Sequence, residues 1–347
     1  MYPQSEDADI ITRILSKALS LLFAFVVYLR SKAYDLGLLA HHTLPGFVYS
    51  VGNIAVGGTG KTPVVISIVK LLQRKGSLPV ILTRGYGSGL KKNDWIVLLN
   101  GALAGGNTKP SQIPDEARLQ SVECPGIAVI AGANRFAAAK AYLKTFAKGQ
   151  EPSHWVLDDG FQHRRIRRDI DIVLLDKTNP IGSGWLLPFG FLREPLSSLK
   201  RATHVFLTGN GVKSPDIARA ISDVKSEIQI TEIFTKSERI EIDVTGEIKF
   251  SEINRDNIFV IAGIARPERF LQDLKSDGIV PAKKLFLPDH HSIDAKKLSE
   301  SLDGSSAVIT TAKDYWRNPE VFASVKIPVF IKKIEFNLPD SLVNQLF

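Results

Sequence analysis

A single cysteine, Cys124, stands in a chain of 347 residues. That excludes an internal disulfide framework and a cysteine-rich zinc site, and it fits a reducing compartment. Cys124 is expected to be a buried bystander. Internal repeats and low-complexity tracts are also missing. So are zinc-finger spacing, a recognition helix and an aromatic stacking ladder, so no nucleic-acid partner is expected. No feature calls for an obligatory protein partner. The uncharged run 18-ALSLLFAFVVYL-29 falls short of the roughly 20 apolar residues that a helix needs to span a bilayer. No small-residue cleavage site follows it; Arg30, Ser31 and Lys32 come next, so a secretory signal is not expected.

What is present reads as globular: 44% hydrophobic residues, and a length suited to one large or two medium α/β domains. Lys and Arg number 44 against 36 Asp and Glu, a formal charge of +8. A basic excess suits nucleotides, phosphorylated substrates, an acidic membrane surface or nucleic acid, and chooses none of them. Near the N-terminus, Ile10, Ile11, Ile14, Leu15, Leu19, Leu22, Phe23, Val26 and Val27 fall at helical spacing, with Arg13 and Lys17 opposite. Leu21, Phe25 and Tyr28 widen that apolar surface. Two readings are open: a helix packed on its own domain, or a helix lying in a membrane interface with its basic residues near the headgroups. Both can hold in part.

From residue 47 strand and helix alternate. The stretch 47-FVYSVGNI-54 reads as a buried strand, a helix follows from about Pro63 to Lys75 with Gly76 closing it, and 79-PVILTRG-85 reads as the next strand. One βαβ unit implies a parallel sheet. Residues 86–113 look like loop or excursion. Then come a strand at 127–132, a helix capped by Asn134, and strands at 154–159 and 170–176. The Gly/Pro-rich stretch 179-NPIGSGWLLPFG-190 is the expected domain boundary, with 204–209, 258–264 and 307–314 as strands of a second α/β region. The expected layout is an N-terminal membrane-associating helix over 1–32, a phosphate-loop domain over 33–185 and a C-terminal α/β domain over 186–347.

The chemistry concentrates in 55-AVGGTGKT-62, a phosphate-loop pattern except at its first position, where Ala55 replaces glycine. Gly57, Gly58 and Gly60 let backbone N–H groups, including those of Val56 and Thr59, turn toward phosphate oxygens at a helix N-terminus. Lys61 would reach the β- and γ-phosphates and Thr62 would ligate Mg²⁺. The apolar strand ending 155-WVLDDG-160 puts Asp158 where a metal-holding carboxylate belongs, with Asp159 beside it. Arg164, Arg165, Arg167 and Arg168 surround Ile166 and read either as phosphate or nucleic-acid contacts or as a solvated basic edge. Transfer to an alcohol also needs a base, for which Asp115, Glu116, His290 and His291 are candidates.

These stretches together resemble the tetraacyldisaccharide 4′-kinases of lipid A biosynthesis. The resemblance rests on SVGNIAVGGTGKTP at 50–63, RGYG at 84–87, DE at 115–116, NR at 134–135 and DDGFQH at 158–163. It continues through RRD at 167–169, LREPL at 192–196, GIARPERF at 263–270, DHH at 289–291 and TAKD at 311–314. The family's loop also lacks the first glycine, so Ala55 conforms. One departure is Pro114-Asp115-Glu116-Ala117 where the family usually has GDEP. The resemblance implies a P-loop NTPase-like parallel sheet flanked by helices. It also implies ATP with Mg²⁺, an acylated glucosamine disaccharide 1-phosphate as acceptor, and work at the cytoplasmic face of the inner membrane. Carried over by motif, Asp115 would be the base with His290 modulating it, and Asp158 and Asp159 would organise Mg²⁺. Arg84, Glu116, Arg135, His163, Arg193 and Glu194 would line the site. Two rivals fail at named positions. Deviant-loop regulatory ATPases carry a lysine where Val56 stands, and the guanine-reading N/T-K-x-D motif does not match TAKD.

Overall fold

The computed structural model describes residues 10–109, 113–147, 149, 151–209, 217–236, 248–288, 291 and 293–338. Near-continuous apolar runs, the mark of strands covered on both faces, form the middle of a parallel sheet. Helix α1 (Ile10–Asp35) leads into strand β1 (Phe47–Asn53), helix α2 (Lys61–Arg74) and strand β2 (Pro79–Thr83). A hairpin, β3 (Trp95–Leu99) and β4 (Ala102–Gly106), precedes α3 (Asp115–Glu123), β5 (Val129–Gly132) and α4 (Arg135–Thr145). Next come β6 (His154–Asp158), β7 (Ile170–Asp176), β8 (His204–Thr208), α5 (Ile217–Ser222) and β9 (Gln229–Glu232). These strands make one nine-stranded sheet in the order β4-β3-β5-β2-β6-β1-β7-β8-β9, parallel except at the hairpin strand β3.

After β10 (Phe234–Lys236) a second sheet begins. It is built from β11 (Ile258–Ala262), α6 (Pro267–Ser276), β12 (Lys283–Phe286), α7 (Ala295–Ser301), β13 (Ala307–Thr311), α8 (Ala312–Arg317), α9 (Pro319–Ala323) and β14 (Val329–Lys332). Its order is β12-β11-β13-β14, all parallel. Strand β15 (Glu335–Asn337) then returns to pair antiparallel with β10.

Alternation along β1 serves both faces of the first sheet. Tyr49 and Val51 pack with Val64, Val65 and Ile68 of α2, while Val48 packs with Ala138 and Ala139 of α4. The α/β class is as expected, and two details differ. Strand β8 pairs with β7 inside the first sheet, so the change of sheet falls after Glu232 rather than at 185/186. The excursion at 86–113 contains the β3–β4 hairpin, turned by Asn100 and Gly101, both at positive φ (51° and 79°).

Helix α1 lies along the body rather than inside it. Ser20 and Tyr34 are buried, and Phe23, Ala24 and Val27 pack on the core around Leu186 and Leu192. Ser20 Oγ donates to the Leu186 carbonyl at 2.8 Å, and the Lys17 ammonium sits over the Trp185 and Phe189 rings. The 179–190 stretch is therefore a platform for α1, not a linker. Ile14, Leu15, Leu21, Leu22, Phe25, Val26 and Leu29 remain exposed. The whole helix has 26 residues and, by length and composition, is long and apolar enough to cross a membrane. Length alone thus does not exclude crossing, as the uncharged core of the run suggested.

Candidate active site

The stretch 54–60 leaves β1 and enters α2 through Gly60, whose φ of +84° belongs to the left-handed region that glycine tolerates. The loop is braced on several sides. Thr59, buried, accepts at Oγ1 from Asn53 Nδ2 (3.1 Å) and at its carbonyl from Thr208 Oγ1 (3.1 Å). Residues 191–194 run against the loop's start: Val56 N donates to Phe191 O (2.8 Å) and Arg193 N to Ile54 O (2.6 Å). This explains why Ala55 suffices, since that position is half-buried beneath a neighbouring segment. Phe336 of β15 covers the loop so closely that a methyl group on Gly60 would meet its ring at 2.9 Å.

Lys61 and Thr62 open α2, with Lys61 Nζ 3.6 Å from Asp159 Oδ1. Arg193 Nη1 donates to both Asp159 oxygens, at 2.9 and 3.1 Å. Asp159 itself has φ 49°, a strained backbone for an L-residue at the turn after β6. Burial opposes its charge, yet Lys61, Arg193 and Arg135 outweigh burial and hold its carboxyl below the usual range. Asp158 is pushed the other way, first by burial and then by Glu116 and Asp159. Its Oδ2 accepts from Gln120 Nε2 and its Oδ1 has no hydrogen-bond partner. Arg135, buried, donates to the Asp159 carbonyl (3.2 Å). His163 is held neutral, its pKa lowered to about 3 by burial and by Arg135 and Arg168.

Across the cleft, Asp115 and Glu116 open α3 and meet the second lobe. Arg317 of α8 donates Nε and Nη2 to Asp115 Oδ2 (2.9 and 2.8 Å), and Lys313 Nζ lies 3.2 Å from Glu116 Oε1. Between the lobes lies a cleft of about 340 Å³ that reaches from Gly57–Thr62 past Glu116 to Arg266, Arg269 and Lys313. The Arg266 guanidinium is anchored on Asp176 and lies over Gly57, where a methyl group would touch it at 3.8 Å.

Most of the expected residues thus converge, with differences. Arg84 is exposed just beyond β2. Glu194 is committed to Arg201 (2.7 Å), which stacks over the Phe161 ring. His290 lies outside the described residues, and His291 is exposed. Of the four arginines around Ile166, Arg168 is consumed by Asp171 and the carbonyls of Phe161, His163 and Ile166. Arg164 grips Ser31 and Asp35 of α1, while Arg165 and Arg167 form the exposed edge. Gln120, Arg266, Arg317 and Phe336 were not anticipated. Gln120 carried a signal, because it follows Glu116 by four positions, which places both on one helix face. Arg317 follows Asp314 by three residues on α8, but nothing local points it at Asp115.

Hard oxygen donors at Thr62, Asp158 and Asp159, with an unpartnered buried oxygen among them, fit Mg²⁺. Among the described residues no group of three His, Cys, Asp or Glu side chains forms a metal cluster. Mg²⁺ sites commonly use one or two carboxylates together with substrate phosphates.

A glycine-rich loop leading from a parallel strand into a helix, beside a pair of carboxylates at the end of the neighbouring strand, defines a P-loop phosphotransfer protein. Comparison with known proteins narrows the class. The family model LpxK, tetraacyldisaccharide-1-P 4′-kinase, matches residues 12–347, and the chain belongs to this family. The tetraacyldisaccharide 4′-kinase of Pelobacter propionicus is 36% identical over 303 residues, 85% of this chain and 80% of that protein. That of Geobacter metallireducens is 32% identical over 345 residues, 96% of each. A crystal structure described as the "apo" form of LpxK from Aquifex aeolicus in complex with ATP superposes with a TM-score of 0.71 at 27% identity. It covers 95% of this chain and 98% of that one.

Proposed function

We propose that the chain transfers the γ-phosphate of ATP to the 4′-hydroxyl of a tetraacyldisaccharide 1-phosphate, giving the 1,4′-bisphosphate of lipid A biosynthesis, at the cytoplasmic face of the inner membrane. The observation that carries the reading is the placement of α1. Arg30 donates to the Gln162 carbonyl (2.9 Å), and Arg164 grips Ser31 and Asp35, so the helix is anchored on the segment directly after Asp158 and Asp159. An apolar surface beside the phosphate cleft suits an acceptor whose acyl chains stay in the bilayer.

The N–H groups of Val56 and Thr59, expected at the phosphates, donate instead to Phe191 O (2.8 Å) and Gly57 O (3.0 Å), so in this reading the remaining loop N–H groups and Lys61 hold the triphosphate, and Arg193 and Arg266 flank it. The 4′-hydroxyl gives its proton to the Asp115 carboxylate as its oxygen bonds to the γ-phosphorus, and the bond to the β–γ bridging oxygen breaks to release ADP. Thr62, Asp158 and Asp159 would hold Mg²⁺, which neutralises phosphate charge when bound. Glu116, beside Asp158 and paired with Lys313, keeps the cleft wall charged.

The direct test is transfer of radiolabelled γ-phosphate from ATP to the lipid disaccharide in mixed micelles. Lys61→Ala should lower turnover about a hundredfold or more, because a fixed cation leaves the site where transition-state charge gathers. Near-normal turnover in that variant removes the phosphate-loop assignment. Transfer to water but not to the lipid would favour an ATPase instead.

A further inference from the structure

We infer that Arg317 is a positioning residue for phosphoryl transfer: its guanidinium sets the orientation of the Asp115 carboxylate across the lobe boundary. The inference rests on the reading of Asp115 as the proton acceptor.

Arg317 closes α8 in the second lobe and its side chain is only 4% exposed. Nε and Nη2 both converge on Asp115 Oδ2, at 2.9 and 2.8 Å, while the Glu116 backbone N–H donates to Oδ1 at 2.9 Å. The carboxylate is therefore oriented by one contact from its own helix and a forked contact from the other lobe. The fork is itself held. Arg317 Nη1 donates to Asp314 Oδ1 (2.9 Å) and to the Gly263 carbonyl (3.2 Å). Asp314 Oδ2 in turn accepts from the Gly263 N–H (3.0 Å) and from Thr311 Oγ1 (2.6 Å).

Gly263 begins the turn that carries Arg266 over Gly57 of the phosphate loop. One guanidinium thus fixes both the base and the backbone that presents a cation at the phosphates. That pairing sets their separation, and misplacement by about 1 Å costs on the order of a hundredfold in such reactions. A purely structural tie is a poorer account. A partly exposed pair, Lys313 with Glu116 (3.2 Å), already joins the same bodies. A buried ion pair, by contrast, is an inefficient source of stability because both partners lose their hydration.

The test is steady-state kinetics on the full chain with ATP and the lipid disaccharide, with thermal unfolding measured on each preparation. Arg317→Gln should lower kcat ten- to hundredfold and leave KM for ATP within about twofold. Arg317→Lys keeps the charge but not the fork and should fall between the wild type and Arg317→Gln. It also serves should the glutamine variant fail to fold. Added guanidinium should restore part of the turnover of Arg317→Ala. Combining Arg317→Gln with Asp115→Asn should cost no more than Asp115→Asn alone. A folded Arg317→Gln protein with wild-type kcat, a change confined to KM, or losses that multiply in the double variant each overturn the inference. If Asp115→Asn alone keeps near-normal turnover, the base assignment fails instead, whatever Arg317 does.

Discussion

Asp158 and Asp159 are chain neighbours with opposite electrostatic fates. Asp159 sits between Lys61 and Arg193 and stays ionised, whereas burial, Glu116 and Asp159 itself favour a proton on Asp158. A carboxyl whose pKa is raised on folding binds more protons in the folded than in the unfolded state. Stability therefore falls as pH rises from the ordinary carboxylate range toward neutrality. Asp158→Asn removes that loss. In chelator-treated, nucleotide-free protein, the variant should melt at a higher temperature than the wild type at pH 7.5, and the difference should shrink at pH 4.5. Turnover should nevertheless collapse, because the amide cannot serve a cation. An unfolding temperature that is equal or lower at pH 7.5 would show that Asp158 carries its charge at no cost in the empty site. The same trade of stability against function appears in the left-handed backbone of Asp159.

Helix α1 divides its residues between two surfaces, and the division makes separable predictions. Phe23, Ala24 and Val27 face the body, while Leu22, Phe25 and Leu29 face outward. Replacing Leu22 and Phe25 with glutamate should abolish co-sedimentation with anionic liposomes and leave the unfolding temperature nearly unchanged. Phe23→Ala should instead cost about 1–2 kcal/mol of stability, since that side chain is partly buried. If the outward pair destabilises the fold as much as Phe23→Ala does, α1 is core and the membrane reading loses its support.

Elements differ in how far the sequence announces them. β7 is covered on both faces, and its run 170–176 gives its own limits. The β3–β4 hairpin had a local signal, Asn100-Gly101 after the apolar run Trp95–Leu99, but the glycine-rich surroundings read as loop. β8 carried no mark of which sheet it joins, because every buried parallel strand looks alike. The site shows the same contrast. Its loop and paired carboxylates are contiguous and readable, whereas Asp115 and Arg317 are 202 positions apart and only the fold joins them.

At the scale of the molecule, the site belongs to neither sheet alone. Asp115 with Arg317, Glu116 with Lys313, and Asp176 with Arg266 all cross the cleft. A nucleotide bound there should stabilise both bodies together. ATP·Mg²⁺ at about a hundred times its dissociation constant should add roughly 2.7 kcal/mol, and raise the unfolding temperature by several degrees in a single transition. A shift confined to one of two resolved transitions would show that only the loop-bearing sheet holds the nucleotide. Hydrogen exchange at α8 and at the 263–266 turn provides the local readout.

The pairing of β15 with β10 has a consequence in time. These strands lie about a hundred positions apart, at 335–337 and 234–236, with the whole second sheet between them. Closing so long a loop is slow until the intervening chain has collapsed. The phosphate loop is contiguous in sequence, but its braces are not: Phe191 and Thr208 lie 135 and 149 positions from Val56 and Thr59, the loop residues they hold. Phe336, which roofs Gly60, arrives with β15. Neither the braced cradle nor its roof is therefore complete until distant segments have come together, and competence to hold a nucleotide waits on both.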